Sequence, residues 1–173
     1  AVGSTVTGVK PGDRVTCSGA GGYAEYAVAD IGRVLPVPDR NLSWEQAATL
    51  PVALATMHDA LVMNGRFTRG ESAMILGASS GVGLMGMQIA KFLGAKVVVG
   101  TSTDATRRAR LAEFGADVAV DTKDPTWVDQ VLAATGGRGV DVVVDQISGA
   151  LINAAMRATA ITGRIVNVGR LGG

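Results

Sequence analysis

The sequence predicts an α/β fold, a doubly wound parallel sheet with helices on both faces, and three observations predict it. Five short apolar runs, at residues 73–76, 96–100, 117–120, 141–144 and 164–168, are separated by segments long enough for crossover helices. A glycine-rich stretch, Gly77-Ala78-Ser79-Ser80-Gly81-Val82-Gly83, joins the first run to a segment with helical patterning. The composition is 47% hydrophobic and 18% charged with 24 glycines, as buried parallel strands closed by tight turns require. Right-handed crossovers order the five strands 3-2-1-4-5 and put a ligand crevice at the carboxyl ends of the first and fourth.

The elements before residue 71 differ in kind. Lys10-Pro11-Gly12-Asp13 reads as a turn, residues 14–18 and 23–28 as short strands around a Gly-rich connection, and Ser43-Trp44-Glu45-Gln46 as a capping box that opens a helix. So few short strands cannot close a core, so this part reads as the tail of a larger β domain. In the second part, Val82, Met85, Ile89, Phe92 and Leu93 recur at helical spacing after the glycine stretch. Gly83, Gly86 and Ala90 give that helix a small-residue face for packing on a sheet, and Gly94 marks its end. Thr103 before Asp104 and Asp124 before Pro125 signal two further helix starts, and Gly115 after Phe114 a stop.

The glycine stretch is also the strongest chemical signal. A strand that turns tightly into a helix leaves orphan N–H groups at the helix start, where the peptide dipoles add partial positive charge; small residues let a pyrophosphate approach that backbone. The pattern G-x-G-x-x-G is met by Gly81, Gly83 and Gly86, but the strand ends at Leu76, so the turn uses Gly77 to Gly83. Ala78, Ser80, Gly81, Val82 and Gly83 are therefore candidate cofactor-binding residues, set against a plain strand-turn-helix. A site for NAD places an acidic residue at the end of the second strand, to hold the adenosine ribose. Here Val97-Val98-Val99-Gly100 leads into Thr101-Ser102-Thr103, and spacing to Gly115 puts Ser102 at that position. A small hydroxyl at Ser102 leaves room for a 2′-phosphate, with Thr103 beside it as a further candidate cofactor-binding residue and Asp104 nearby as a counter-argument. Arg107 and Arg108 follow, either as phosphate partners or, with Arg110, as a solvated helix face.

Composition narrows the partners. A net charge of +1 argues against nucleic acid or a membrane surface. The single cysteine, Cys17, excludes an internal disulfide framework and a multi-cysteine zinc lobe, and reads as a small hydrophobe in a strand. Residues 72–90 carry no charge, yet Gly-Ala-Ser-Ser-Gly at their centre would weaken a spanning helix. No signal or transit segment is visible, so the expected location is cytoplasmic; the first residue is Ala1, so the native N-terminus is expected to lie outside this sequence.

An ordered series of motifs extends the reading: VKPGDRV at Val9 to Val15, GGYAEYAV at Gly21 to Val28, AATLPVALAT at Ala47 to Thr56, GASSGVG at Gly77 to Gly83, then GGRGVDVVVD and GRIVNVG. The series resembles the medium-chain dehydrogenase/reductase superfamily, in its zinc-independent quinone oxidoreductase branch, which includes zeta-crystallin-like and enoyl reductase proteins. The resemblance spans nearly the whole chain. It implies a partial GroES-like catalytic domain over residues 1–50 and a Rossmann-type dinucleotide-binding domain over 51–173 that lacks its last strand. The short-chain dehydrogenases share a similar glycine turn but need a downstream tyrosine, and Tyr23 and Tyr26 are both upstream.

Several roles follow from the resemblance alone. The position of a zinc-ligating cysteine in the zinc alcohol dehydrogenases is Val52 here, which cannot bind a metal. Arg107 matches the residue that meets the 2′-phosphate, with Arg108 assisting, so the implied cofactor is NADP(H). Thr56, the loop Asp145-Gln146-Ile147, and Val168-Gly169-Arg170-Leu171 are implied around the nicotinamide; alternatively, Asp145 caps a helix and Val168 ends a strand. His58 either lines that pocket or packs on the helix surface, and Thr122 stands where related reductases carry a tyrosine. The implied reaction is hydride transfer from NADPH to a quinone or an α,β-unsaturated carbonyl compound, a small-molecule substrate, with homodimerisation of the full-length protein. The alternatives are a dinucleotide-binding module without turnover, or the enoyl reductase unit of a larger synthase. No catalytic residue is assigned.

Overall fold

A computed structural model describes residues 1–38 and 41–172. The chain divides into two compact units, Ala1–Val52 and Ala53–Gly173.

In the first unit, strands β1 (Val15–Cys17) and β2 (Val34–Pro36) pair antiparallel, with Val15 opposite Pro36. The turn at Lys10 is held by Asp13, whose carboxylate accepts from the Lys10 amide at 2.9 Å and from its ammonium at 2.7 Å. Helix α1 (Trp44–His58) opens on the expected capping box: the Ser43 amide donates to Gln46 Oε1 at 2.9 Å, and the Gln46 amide donates to Ser43 Oγ at 3.2 Å. Residues 23–28 do not form the expected strand. They are irregular, bending at residues 23–25, with Tyr23, Tyr26 and Val28 exposed, and β1 takes residues 34–36 as its partner instead. Cys17 lies in a strand as expected, but exposed rather than packed.

The second unit is the doubly wound sheet. Strands β3 (Ser72–Leu76), β4 (Val97–Thr101), β5 (Val118–Val120), β6 (Val140–Asp145) and β7 (Thr159–Asn167) are all parallel, in the order β5-β4-β3-β6-β7. That is the 3-2-1-4-5 arrangement. Helices α2 (Gly81–Phe92), α3 (Ala105–Ala109), α4 (Trp127–Ala134) and α5 (Ile152–Ala158) connect the strands. Alternation along β3 divides the core: Ala73 and Ile75 pack with Met57, Leu61, Met87 and Ala90, while Met74 and Leu76 pack with Trp127, Val131, Ala155 and Ala158.

Glycine decides how closely α2 approaches the sheet. Gly83, Gly86 and Ala90 are buried on its inner face, and a Cβ at Gly83 would stand 2.6 Å from both Ala78 Cα and the Gly77 carbonyl oxygen. Phe92 is 87% exposed and is no part of the apolar face, which is buried at Gly83, Gly86, Met87 and Ala90. The helix ends before Gly94, which takes φ +89°. Helix α3 is capped by Asp104, not Thr103: the Asp104 carboxylate accepts from the Arg107 amide, which a threonine one residue earlier is too distant to do. Asp124 sits in a turn ahead of α4, accepting from the Thr126 amide at 2.8 Å, so that helix starts at Trp127. Gly115, at φ +98°, terminates the short 3₁₀ helix Leu111–Phe114 as expected.

At the opposite end of the sheet from the glycine turn, Arg164 of β7 makes a bidentate ion pair with Glu71, both N–O distances being 2.8 Å, and also donates to the Gly65 carbonyl. The guanidinium holds the Glu71 carboxyl below its ordinary range. Among the described residues, no helix is long and apolar enough to cross a membrane.

Candidate functional site

The carboxyl ends of β3, β4 and β6 meet at the glycine turn. Strand β3 stops at Leu76, and Gly77 reverses the chain at φ +75°, a backbone region that favours glycine. Strand β4 holds the turn from one side: the Gly77 amide donates to Thr101 Oγ1 at 3.1 Å and the Ala78 amide to the Thr101 carbonyl at 2.9 Å. Ser80 then caps α2, its hydroxyl accepting from the Gly83 amide at 3.0 Å.

This arrangement leaves the first amides of α2 pointing outward. Among the described residues, the N–H groups of Gly81 and Val82 find no acceptor, and a Cβ placed on Gly81 would have no atom within 4 Å. Open donors, a helix dipole and an absence of side-chain bulk are what an anion such as a pyrophosphate requires. The turn therefore fits the phosphates of a dinucleotide, with Ala78, Ser80, Gly81, Val82 and Gly83 as its elements.

At the end of β4, Ser102 is 7% exposed and its hydroxyl donates to Ser79 Oγ at 3.0 Å. The Asp104 amide donates to Ser102 Oγ at 3.3 Å, and the Asp104 carboxylate is occupied by the Arg107 amide at 2.9 Å. Asp104 thus serves as a helix cap. Directly after β4, where the sequence leads to the expectation of a ribose partner, the chain carries a serine. Thr103 is exposed beside it. Arg107 is also exposed, and among the described residues its guanidinium has no hydrogen-bond or ion-pair partner. Arg108 differs: its Nη1 donates to the Ser102 carbonyl at 2.8 Å and to Asp121 Oδ2 at 3.0 Å, so it braces the end of β4.

On the β6 side, Asp145 Oδ1 accepts from the Ile147 and Ser148 amides at 2.8 and 2.9 Å, closing the turn before the 3₁₀ helix Gly149–Leu151. Its Oδ2 is buried and, among the described residues, has no hydrogen-bond partner. The segment after β7 runs alongside: the Val168 amide donates to the Asp145 carbonyl, and the Leu171 amide to the Gln146 carbonyl. A Cβ on Gly169 would stand 2.9 Å from the Gln146 carbonyl oxygen, so glycine permits that contact. Arg170 is exposed. Thr56 is half-buried in α1 and His58 exposed at its end; among the described residues neither makes a side-chain hydrogen bond.

Hydrogen bonds tie Ala78, Ser80, Gly83 and Ser102 into the turn and Val168 and Gly169 to the loop after β6, while Gly81 and Val82 stand at the start of α2 with amides that, among the described residues, have no acceptor. The structure leaves Thr56, Thr103, Arg107 and Arg170 outside that network. Thr101, Ser79 and Gln146 complete the network; the resemblance names Gln146 only as part of the loop near the nicotinamide, and its bonds to the glycine turn have no signal in the sequence. Among the described residues, no group of three or more His, Cys, Asp or Glu could hold a metal ion.

Known proteins share this arrangement. Residues 81–173 match the zinc-binding dehydrogenase family. Quinone oxidoreductase of Rattus norvegicus is 33% identical over 170 residues, which is 97% of this chain and 51% of that protein. One component of the phenolphthiocerol/phthiocerol polyketide synthase of Mycobacterium tuberculosis is 34% identical over 172 residues, 98% of this chain and 8% of that protein. A mycobacterial structure solved in complex with NADPH superposes with a TM-score of 0.87 at 31% identity, over 98% of this chain and 53% of that one. The chain thus spans about half the length of the quinone oxidoreductase and a small part of the synthase.

Proposed function

Given that the chain belongs to the zinc-binding dehydrogenase family, within the quinone oxidoreductase-like part of the medium-chain dehydrogenase/reductase superfamily, we propose that it binds NADP(H) and forms the cofactor half of a reductase for quinones or α,β-unsaturated carbonyl compounds. The observation that carries this reading is the pair of free amides at Gly81 and Val82 beside a serine, Ser102, at the end of β4. The amides would take the pyrophosphate, and Ser102 with Thr103 would leave space for the 2′-phosphate, with the uncommitted Arg107 as its counter-charge. Val168, Gly169 and Arg170, with Thr56, would border the nicotinamide, which supplies the hydride when bound. The protein's part is orientation and the exclusion of water.

Zinc has no role in this reading, since Val52, on helix α1, has no side-chain ligand atom and the single cysteine, Cys17, lies on β1. The remaining elements of the proposal, a cytoplasmic small-molecule enzyme without a nucleic-acid or membrane partner and a homodimeric full-length form, are supported by the resemblance and by the near-neutral charge. The match to a polyketide synthase supports a second reading of context, in which the same cofactor site serves as the enoyl reductase unit of a larger synthase. Calorimetric titration of the chain with NADP⁺ and NAD⁺ tests the central claim: saturable, tighter binding of NADP⁺ is expected, and no binding of either would overturn it.

A further inference from the structure

We propose that Gln146 is the positioning residue of this dinucleotide site, clamping the glycine turn to the end of β6 and so aiming the free amides of α2; the proposal rests on the NADP(H) reading above. Gln146 is only 6% exposed. A buried primary amide is costly unless its polar atoms are paired, and here they are paired almost entirely with the turn. Its Nε2 donates to the Leu76 carbonyl at 3.0 Å and to the Gly77 carbonyl at 3.3 Å, while its Oε1 accepts from Ser80 Oγ at 3.0 Å. The reverse orientation of the amide would set Oε1 against two carbonyl oxygens, so the network itself determines which atom points where.

Each of these bonds acts on the geometry of the anion site. The last carbonyl of β3 and the carbonyl of the positive-φ glycine both point toward the same donor, which holds the bend from the β6 side as Thr101 holds it from the β4 side. Because Ser80 gives its one hydroxyl proton to Gln146, its lone pairs are left to cap the Gly83 amide. The Gly81 and Val82 amides lie between these two fixed points. The backbone of Gln146 reaches in the other direction, its carbonyl accepting from Leu171 at 3.1 Å. One residue therefore joins the turn proposed for the pyrophosphate to the segment proposed for the nicotinamide.

Three variants test the assignment by titration with NADP⁺ and with 2′-AMP, which lacks the pyrophosphate. Gln146→Leu removes both halves of the clamp and should weaken NADP⁺ about tenfold while leaving 2′-AMP unchanged. Gln146→Glu keeps the shape but replaces the donor with a carboxylate facing two carbonyl oxygens; it should bind NADP⁺ about tenfold more weakly than the unmodified protein at pH 8. Protonation restores an O–H donor, so that deficit should shrink toward unity by pH 5.5. Ser80→Ala, which removes the partner of Oε1 and the cap together, should reproduce the loss if Gln146→Leu does not fold. Unaltered NADP⁺ affinity in folded Gln146→Leu, or a Gln146→Glu deficit independent of pH, would overturn the positioning role while leaving the cofactor reading intact. Failure of the unmodified protein to bind NADP⁺ would overturn the reading beneath it.

Discussion

The hydroxyl of Ser102, at the end of β4, donates to the hydroxyl of Ser79 in the glycine turn of β3 at 3.0 Å. Two neutral side chains thus meet at the end of β4, and under the proposed cofactor reading this is where an NAD site would carry a carboxylate. Replacing Ser102 with Asp should therefore shift the preference toward NAD⁺. A carboxylate accepts from ribose hydroxyls and repels a 2′-phosphate, so NADP⁺ affinity should fall by at least about tenfold, or roughly 1.4 kcal/mol. Paired titrations with both cofactors measure the ratio, and an unchanged ratio would remove Ser102 from the specificity pocket.

Arg107 presents the complementary case. Its guanidinium is exposed and, among the described residues, uncommitted, whereas Arg108 is held by the Ser102 carbonyl and Asp121. A charge-assisted contact to a phosphate contributes about 1.5–3 kcal/mol, so Arg107→Ala should erase most of the NADP⁺ preference and leave NAD⁺ affinity nearly unchanged. Arg108→Ala should behave differently, lowering thermal stability and weakening both cofactors, because it loosens the end of β4. Equal weakening of both cofactors in Arg107→Ala would show that Arg107 is structural.

Gly81 and Gly83 of α2 separate access from packing. A side chain at Gly81 enters open space, so Gly81→Val should fold with little change in melting temperature yet obstruct the amides and weaken NADP⁺ at least about tenfold. A side chain at Gly83 collides with the backbone of Gly77 and Ala78, so Gly83→Val should lose stability as well as affinity. Full NADP⁺ affinity in a folded Gly81→Val protein would exclude the helix start as the pyrophosphate site.

Locality explains which of these features the sequence discloses. The Ser43–Gln46 box and the Lys10 turn close within three residues, so residue type and spacing identify them. The order of the sheet strands follows from handedness, which is general. Gln146 is different: its partner Ser80 lies 66 residues away, and no local pattern marks a glutamine as a donor to a distant turn. The same limit accounts for residues 23–28, whose apolar alternation suits a strand but whose assignment depends on a pairing partner that β1 finds in residues 34–36 instead. Arg107 and Arg108 are adjacent and chemically equal in the sequence; the Ser102 carbonyl and Asp121, both bound by Arg108, tell them apart in the structure.

Removal of metal should change nothing. Among the described residues no cluster of ligands is present, and Val52 offers no donor atom, so dialysis against a chelator should leave NADP⁺ affinity and melting temperature unaltered. Stoichiometric zinc that resists dialysis and whose loss unfolds the protein would contradict the zinc-independent assignment.

The Glu71–Arg164 pair gives the sheet a pH dependence whose sign can be worked out. Arg164 stays cationic throughout, and its guanidinium lowers the Glu71 carboxyl from an ordinary value of 4.5. A carboxyl depressed in the folded state contributes stability that is fully present above its unfolded value and is lost as pH falls through the folded one. With the side chains 22% and 32% exposed, solvent screens the pair, so its contribution is about 1 kcal/mol rather than the larger value of a buried one. Glu71→Gln should therefore destabilise the protein by about that amount at pH 7, and the difference from the unmodified protein should narrow as pH drops below about 4.5. Other carboxylates titrate in the same range, among them Asp13 and Asp124, whose hydrogen bonds also lower them, so the meaningful quantity is the difference between the two proteins at each pH. Urea unfolding at pH 7, 5 and 3 measures it. A difference that persists undiminished at pH 3 would mean that Glu71 acts through packing or through its bond to the Thr68 amide rather than through its charge.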